Sequence, residues 1–237
     1  MAADTVQEIK KNATCAKAAL DLFGSTALIL LLSPVLIAVS LCVLLTMGRP
    51  VFFLQQRTGL HGKPFYILKF RTMAEPDPGG PDTASRHPAN DDQRVTPLGR
   101  ILRLSSLDEL PQLFNVYTGE MSLVGPRPQL TEFGRHYTPF QSRRHEVKPG
   151  ITGWAQINGR NSIDWDRKFE LDVWYVDNWS LALDLKILAL TPFRLLLVHQ
   201  ADGPYRCSDR TFGGADVHNG GDVVEAHPER SGSTRPQ

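Results

Sequence analysis

An uncharged apolar segment near the N-terminus constrains the fold of this chain most strongly. No charged residue lies between Leu22 and Gly48, and roughly 20 consecutive apolar residues suffice to span a bilayer. The apolar stretch is too long for the core of a secretory signal peptide, and no clear small-residue cleavage site follows it. The segment therefore predicts a helix embedded in a lipid bilayer.

Ser33 and Pro34 lie inside this apolar segment and affect its path. Proline removes one helical hydrogen bond and kinks a helix, and a serine hydroxyl can satisfy the backbone group that is left over. Lys and Arg flank both ends of the segment, and the positive-inside bias places both flanks in the cytoplasm. The pattern leaves two paths open: a straight span, or a re-entrant helix that enters, breaks at Ser33-Pro34 and returns.

Three regions follow from the distribution of apolar and polar residues. Residues 1–49 contain the membrane segment, residues 50–200 form a cytoplasmic domain, and residues 201–237 are rich in Gly, Ser, Pro, Asp and His. That composition is typical of disorder, so the third region is interpreted as a disordered polar tail.

Within the domain, two apolar runs around a Gly-His-Gly-Lys turn predict a β-hairpin over residues 51–55 and 65–70. The Pro- and Gly-rich residues 75–93 predict a long loop. Helical patterns cover residues 98–104, 107–117, 164–179 and 181–200. The last of these is Leu-rich with scattered charges, and both an interfacial helix and a core helix remain open for it.

Several functional classes are disfavoured by composition and motifs. The chain has 237 residues and a formal net charge of +1, so no strong field favours nucleic acid as a partner. Cys15, Cys42 and Cys207 are widely spaced and are interpreted as free thiols. No P-loop, no Rossmann fingerprint, no HExxH motif and no Cys/His set with zinc spacing occurs.

The adjacent acids Asp108 and Glu109 are the first candidates for chemistry. One interpretation is helix capping, either by a Ser106–Glu109 capping box or by Asp108 ahead of a helix that tolerates Pro111 in its first turn. The other is an active site. Adjacent helical residues point about 100° apart, so the two carboxylates cannot share one proton as a facing pair. They can take separate roles, one attacking and the other holding a metal ion.

Basic residues near these acids are candidates for binding phosphate. Arg127 lies between two prolines, which fix the backbone around a guanidinium that suits phosphate. Lys69 and Arg71 leave a strand-like run on the same face, and Arg103 precedes Asp108 by five residues. A surface turn, a solvated strand face and an ordinary surface arginine are the corresponding structural interpretations.

Taken together, the motifs resemble one family. "KFRTM", "RLSSLDELPQLFNV", "GEMSLVGPRP" and "KPGITGWAQINGRN" occur in that order behind the Ser-Pro segment. This arrangement resembles the bacterial sugar transferases, the monotopic polyprenyl-phosphate phosphoglycosyl transferases, over roughly residues 17–197. Longer members carry several transmembrane helices ahead of this unit, so the chain looks like the minimal catalytic form. The loop at residues 75–93 departs from the family pattern.

The resemblance implies a fold and a set of site residues. The fold is expected to be α+β: a mostly helical, membrane-associated domain with a re-entrant N-terminal helix broken at Ser33-Pro34, a small β-hairpin and interfacial amphipathic helices. Asp108 is expected to be the nucleophile and Glu109 the Mg²⁺ ligand. The family's phosphate-binding basic residues fall on Lys69, Arg103 and Arg127.

The resemblance also implies a reaction. A UDP-sugar and polyprenyl phosphate are the expected substrates, UMP is released, and the enzyme passes through a phosphosugar–aspartyl intermediate. The expected location is the cytoplasmic face of the inner membrane, on a lipid bilayer. A non-catalytic membrane scaffold and a UDP-releasing glycosyltransferase are the alternatives. The sugar, the polysaccharide pathway and any homo-oligomer are left open.

Overall fold

A computed structural model describes residues 2–74, 94–159 and 163–201, together with residues 211–212, 215–217 and 223–225. The predicted loop at residues 75–93 lies outside these ranges. So does most of the predicted tail, and its disorder stays a prediction there. The three short tail stretches form an antiparallel sheet of β5 (Thr211–Phe212), β6 (Ala215–Val217) and β7 (Val223–Glu225).

Helices dominate the described residues, and the sheets are small. The α-helices are α1 (Ala2–Met47), α2 (Pro97–Leu104), α3 (Gln112–Tyr117), α4 (Pro139–Ser142), α5 (Trp154–Ile157), α6 (Trp165–Asp177) and α7 (Leu181–Ala201). Turns of 3₁₀ helix cover Leu60–Gly62, Leu107–Glu109, Thr131–His136 and Arg143–Glu146. The remaining strands are β1 (Phe52–Thr58), β2 (Pro64–Phe70), β3 (Ser122–Val124) and β4 (Gly150–Thr152). This composition agrees with the predicted α+β class.

Helix α1 runs through Ser33 and Pro34 without an interruption, so the separation into two helices expected there is not present. Pro34 has no N–H to donate to the Leu30 carbonyl, four residues earlier. The Ser33 hydroxyl donates to that same carbonyl at 2.8 Å and replaces the missing bond. Because this local repair keeps the helix continuous, the re-entrant path in the membrane stays a prediction.

The two long sides of α1 differ in exposure. Phe23, Leu31 and Leu45 are 72, 73 and 82% exposed, whereas Ser25 and Val43 are fully buried. The stretch Thr14–Met47 is long and apolar enough to cross a membrane, and only 6% of its most apolar window is buried. A soluble core helix would bury most of such a window. The exposed apolar side therefore indicates association with a membrane.

The predicted hairpin is confirmed as the antiparallel pair β1–β2, with a longer first strand than expected. Its turn uses the left-handed region at His61 and Gly62, with φ of 54° and 75°, which glycine adopts without steric cost. Asn115 on α3 holds the hairpin: its Oδ1 accepts from the Leu68 N–H at 3.0 Å and its Nδ2 donates to the Tyr66 carbonyl at 2.8 Å. This contact fixes the helix that follows the acidic pair against the strand that carries Lys69.

The parallel pair β3–β4 lies at the centre of the domain and is attached to α1. The Asp21 carboxylate accepts from the Ser122 hydroxyl and from the Leu123 N–H, both at 2.9 Å. The main apolar core surrounds this pair and includes Met121 and Ile187, both fully buried. The sheet, α1 and α7 therefore form one packed unit that positions the loop after β3.

Helix α7 combines the two alternatives left open for its sequence. Asp184 and Ile187 are fully buried against the domain, while Leu185 and Phe193 are 55 and 66% exposed. Asp184 pairs with Lys17 of α1 at 2.7 Å. One side of α7 is thus a core helix, and its other side presents apolar groups at the surface as an interfacial helix does.

Candidate active site

The acidic pair lies in the 3₁₀ turn Leu107–Glu109, between α2 and α3. Ser106, which precedes the turn, has a φ of 56° and makes no side-chain cap, and α3 begins after Pro111 without a side-chain cap. Both capping interpretations are therefore wrong. The physical reason is that the Glu109 side chain points away from its own backbone and toward basic residues on two other elements.

Glu109 is surrounded by cations. Its carboxylate accepts two bonds from Arg127, from Nη1 at 3.2 Å and Nη2 at 2.5 Å, and one from Lys69 Nζ at 3.1 Å. Burial alone raises the pKa of Glu109, but the charges of Arg127 and Lys69 outweigh it and hold that pKa well below its ordinary value. Glu109 is thus ionised, with both of its oxygens engaged.

The carboxylate of Asp108 differs from that of Glu109 in its partners. Among the described residues, none forms an ion pair or hydrogen bond with its carboxylate. Burial and the neighbouring Glu109 charge raise the pKa of Asp108 to about 6, against the opposing effects of Lys69, Arg103 and Arg127. Two adjacent carboxyls whose pKa values are pushed apart are typical of groups with different catalytic roles. The two carboxyls therefore differ both in their partners and in the direction of their pKa shifts.

The three basic residues predicted for phosphate come from three separate elements. Lys69 lies on β2, Arg127 follows β3, and Arg103 lies in the last turn of α2, where its Nε donates to Thr72 Oγ1 at 2.9 Å. The side chain of Lys69 is only 18% exposed, so the solvated strand face is wrong for it. The fold therefore brings all five predicted site residues together, whereas Ser33 and Pro34 lie on α1, outside this cluster.

Arg71 has a structural role instead. Its Nη2 donates to the carbonyls of Met47 and Gly48 at 2.5 and 2.7 Å. The last carbonyls of a helix have no partner within the helix and attract cations. Arg71 is 6% exposed and satisfies the end of α1, so its interpretation as a solvated cation is also wrong.

Close backbone contact explains the glycines in two of the motifs. The Gly125 N–H donates to the Thr152 carbonyl and the Gly150 N–H donates to the Pro126 carbonyl, both at 2.9 Å. A Cβ on Gly150 would lie 2.0 Å from the Gly125 nitrogen. Only glycine fits this approach, which joins the loop carrying Arg127 to β4.

Sequence reasoning missed the support beneath Arg127. Arg144 is buried, pairs with the buried Asp172 at 2.7 Å, and donates from Nη2 to the Arg127 carbonyl at 2.7 Å. It also missed Arg57, which lies near Arg127 and Glu109. Both arginines are in polar stretches where an arginine is usually exposed. Their partners are distant in sequence, so no local pattern marks them.

The acidic pair is compatible with Mg²⁺. Both residues supply hard oxygen donors, and no group of three or more His, Cys, Asp or Glu that could hold a metal occurs among the described residues. Mg²⁺ is commonly held by one or two carboxylates, with substrate phosphates and water as the other ligands. No described residue engages the Asp108 oxygens, whereas Glu109 would have to share the oxygens that Arg127 and Lys69 engage, so a magnesium ion held by this pair would need further ligands from elsewhere.

A comparison with known proteins identifies the family. A sequence profile described as "Bacterial sugar transferase" matches residues 12–197. The chain belongs to the bacterial sugar transferase family. The resemblance based on the four motifs is thereby confirmed, as is the prediction of a transferase enzyme.

Three relatives illustrate the breadth of the sugar transferase family. The chain is 57% identical over 180 residues to an uncharacterized sugar transferase, EpsL, of Bacillus subtilis, covering 74% of this chain and 86% of EpsL. It is 44% identical over 186 residues to the UDP-glucose:undecaprenyl-phosphate glucose-1-phosphate transferase of Escherichia coli, covering 75% of this chain and 39% of that protein. It is 38% identical over 181 residues to the UDP-N-acetylgalactosamine-undecaprenyl-phosphate N-acetylgalactosaminephosphotransferase of Aeromonas hydrophila, covering 74% of this chain and 42% of that protein.

The chain thus spans most of EpsL but about two fifths of the length of the two relatives with named substrates. In each case the shared part covers about three quarters of this sugar transferase.

Proposed function

We propose that this protein transfers a sugar-1-phosphate from a UDP-sugar to a polyprenyl phosphate and releases UMP, through an intermediate on Asp108. The names of the Escherichia coli and Aeromonas relatives support the overall reaction. The observation that carries the covalent step is the contrast within the acidic pair: Glu109 is engaged by Arg127 and Lys69, whereas Asp108 is half-buried among cations and no described residue engages its carboxylate.

In the first displacement, an Asp108 oxygen attacks the β-phosphorus of the UDP-sugar. The bond from that phosphorus to the bridging oxygen breaks, and UMP leaves with the bridging oxygen and its electron pair. A carboxylate meets charge repulsion when it approaches a diphosphate, so cations have to offset the charge. The charges of Lys69, Arg103 and Arg127 all act on Asp108, which supports this role for them.

In the second displacement, an oxygen of the polyprenyl phosphate attacks the same phosphorus. The bond to Asp108 breaks, the carboxylate is restored, and polyprenyl-diphosphate-sugar is the product. A covalent intermediate divides one reaction of two anionic substrates into two simpler steps. The first step needs no lipid, which makes the scheme testable.

We propose that Glu109, with Asp108 beside it, holds Mg²⁺ together with the diphosphate. The metal supplies charge neutralisation on the phosphoryl oxygens when it is bound. Glu109 already serves as the carboxylate that fixes Lys69 and Arg127, so it both orders the cations and offers a hard oxygen ligand.

We propose further that both ends of α1 remain on the cytoplasmic side of the inner membrane. Lys17 donates to the Val124 carbonyl at 3.0 Å near the start of the apolar segment, and Val43 packs with Phe70 near its end. A helix that crossed the bilayer would carry these two contacts to opposite sides. Contact of both ends with one domain supports a re-entrant or interfacial path.

Cysteine labelling in intact cells tests this placement, in a variant without Cys15, Cys42 and Cys207. Single cysteines at Ala3 and Gly62 are expected to react from the same side. Reaction from opposite sides would establish a straight span. Pro34→Leu restores the N–H that Pro34 lacks, favours a straight helix and is expected to lower activity.

The proposal is made for UDP-sugars as a class. Glucose and N-acetylgalactosamine both occur in the names of relatives at 44 and 38% identity, so similarity at this level does not select the sugar. A panel of UDP-sugars with polyprenyl phosphate and Mg²⁺ identifies the donor by UMP release. Release of UDP would indicate a glycosyltransferase, and release of neither nucleotide would favour a scaffold.

Intact-protein mass tests the covalent step. UDP-sugar and Mg²⁺ without lipid are expected to add one sugar-phosphate to the wild-type protein and nothing to Asp108→Asn. If UMP release strictly requires polyprenyl phosphate and no adduct is trapped, transfer is direct and Asp108 is not the nucleophile.

A further inference from the structure

Arg57 lies on the face of the hairpin that carries Lys69. In the register of β1 and β2, Phe53 pairs with Lys69 and Arg57 pairs with Phe65. Alternate residues of a strand share one face, so Arg57 and Gln55 follow Phe53 along the side that faces the acidic pair. The backbone positions of Phe53 and Arg57 are four residues apart, or roughly 13 Å along the strand.

A second backbone contact places Arg57 beside the loop of Arg127. Arg57 forms an isolated antiparallel bridge with Leu130, and the Thr58 N–H donates to the Gln129 carbonyl at 2.9 Å. Leu130 is three residues beyond Arg127. The end of β1 is thus attached to the same segment that presents Arg127 to Glu109.

Within the described ranges, the guanidinium of Arg57 has no anionic partner. Its Nη2 donates to the neutral Gln55 Oε1 at 2.5 Å, its Nε is buried without an acceptor, and no described carboxylate lies within ion-pair distance of it. Burial, followed by the nearby Arg127 charge, lowers the pKa of Arg57 to about 10. The acid with the largest electrostatic effect on Arg57, Glu109, already accepts from Lys69 and Arg127.

A buried cation beside another cation is costly unless an anion joins them. Arg57 has Arg127 and Glu109 as its strongest electrostatic neighbours, whereas Asp108 is most affected by Glu109, Lys69 and Arg103. Arg127 affects both residues. Arg127 bonds to Glu109, the neighbour of Asp108, and the segment that follows Arg127 pairs with Arg57, so Glu109 and Arg127 connect Asp108 to the position of Arg57.

We propose that Arg57 binds the α-phosphate of the UDP-sugar, the phosphate that leaves with UMP. The inference rests on the proposed function, in which Asp108 attacks the β-phosphorus. The β-phosphate then lies next to Asp108, and the α-phosphate lies beyond it, toward Arg57. Arg57 supplies a charge-assisted donor for the negative charge that UMP acquires as the bridging bond breaks.

Nucleotide binding is the first test, and it does not depend on the covalent step. Arg57→Gln is expected to weaken binding of UMP and UDP roughly 10- to 100-fold, as for a lost charge-assisted contact, and to leave binding of uridine unchanged. Arg135→Gln, at an exposed arginine of the 3₁₀ turn Thr131–His136, is the matched control. Unchanged affinity of Arg57→Gln for UMP would overturn the proposal.

Discharge of the preformed adduct is the second test. UMP and polyprenyl phosphate can each remove the sugar-phosphate from Asp108, by reversal of the first step or completion of the second. Arg57→Gln is expected to slow discharge by UMP and to leave discharge by lipid unchanged. Slower discharge by lipid alone would assign Arg57 to the acceptor phosphate instead. An absent wild-type adduct contradicts the proposed function while the binding test still decides the role of Arg57.

Thermal unfolding separates a binding role from a structural one. Because Arg57 is a half-buried cation near Arg127, Arg57→Gln is expected to keep the melting temperature of the free protein or raise it, and to reduce the stabilisation by UDP. A large fall in melting temperature would indicate a structural residue. Arg57→Lys, which keeps the charge, then serves as the binding variant and is expected to retain part of the affinity for UMP.

Discussion

Two charge clusters lie on either side of the Arg127 loop, one buried and one half-buried, and they are balanced differently. Behind the loop, Arg144 is matched by one carboxylate, Asp172, at 2.7 Å. In front of it, Lys69, Arg103 and Arg127 gather around Asp108 and Glu109. The first cluster satisfies its charges within the protein. The second carries a surplus of cations and one carboxylate that no described residue engages, which is the arrangement expected of a site that receives an anion.

Asp108→Asn is the change with the largest expected effect on activity. Asparagine keeps the shape of the side chain but is a very poor nucleophile, so the first displacement is expected to stop. Loss of a general base costs about 10²–10⁴-fold, and loss of a covalent nucleophile is expected to cost at least as much. UMP release measured with and without lipid checks this. Near-normal release by a folded Asp108→Asn protein would show that the free carboxylate is not the nucleophile.

Asp172→Asn is the matching change on the structural side. It leaves Arg144 buried without its carboxylate, which typically costs about 3–5 kcal/mol of unfolding free energy. The exposed pair between Arg143 and Asp177 is the control, because Asp177→Asn breaks a pair on the same two elements at the surface. An exposed pair contributes about 1 kcal/mol or less.

Chemical denaturation of both variants in the same detergent measures the difference. Equal losses of stability for Asp172→Asn and Asp177→Asn would contradict the assignment of the buried pair as the support of Arg127. A double variant, Arg144→Met with Asp172→Leu, is expected to recover most of the stability, since it leaves no unpaired charge.

Local patterns predicted the elements that contain these residues but not how the residues are partnered. The hairpin follows from its turn residues, and α6 follows from its helical pattern. The structure adds an Asp164 cap, whose carboxylate accepts from the Arg167 N–H at 2.7 Å. A capping box formed by Ser106 and Glu109 was a reasonable local inference. It is wrong because Arg127, eighteen residues away, competes for the same carboxylate.

The family motifs supplied what spacing alone did not. They selected Lys69, Arg103 and Arg127 from the basic candidates and left out Arg71, and the fold brings the three selected residues to the acidic pair from three elements. They did not identify Arg57 or Arg144, whose significance depends on burial. A buried arginine and an exposed one look alike in a polar stretch of sequence, and only the tertiary structure separates them.

Glu109→Gln is expected to lower activity roughly 10- to 100-fold through weaker metal binding, because a neutral amide is a poorer ligand for a hard cation. Excess Mg²⁺ is expected to restore part of the rate. The measurement is the initial rate of UMP release against Mg²⁺ concentration. Glu170→Gln is the control, at an exposed glutamate paired with Arg167. If Glu109→Gln keeps the Mg²⁺ dependence of the wild type, Glu109 only orders Lys69 and Arg127.

The smallest expected effect is the pH dependence of adduct formation. The pKa of Asp108 is raised to about 6, and only the ionised carboxylate attacks phosphorus. Formation of the adduct is therefore expected to be half-maximal near pH 6 and to fall to roughly a tenth one pH unit lower. Glu109 does not titrate in this window, because its pKa is held well below the ordinary value.

The measurement of adduct formation should be made without lipid, since the phosphate of the acceptor titrates in the same range.

The raised pKa of Asp108 also predicts that the stability of the folded protein changes with pH. Because the pKa of Asp108 is higher in the folded protein than in the unfolded chain, the folded state binds more protons between about pH 4 and 6. The contribution of Asp108 to the free energy of unfolding is thus fully present below about pH 4 and is lost as the pH rises through about 6. Asp108→Asn is expected to remove that decline and to be more stable than the wild type at pH 7, by about 1–2 kcal/mol after allowance for partial exposure. An adduct rate that is flat from pH 5 to 8, together with equal stability of the two proteins at pH 7, would show that the Asp108 carboxyl titrates as an ordinary exposed acid.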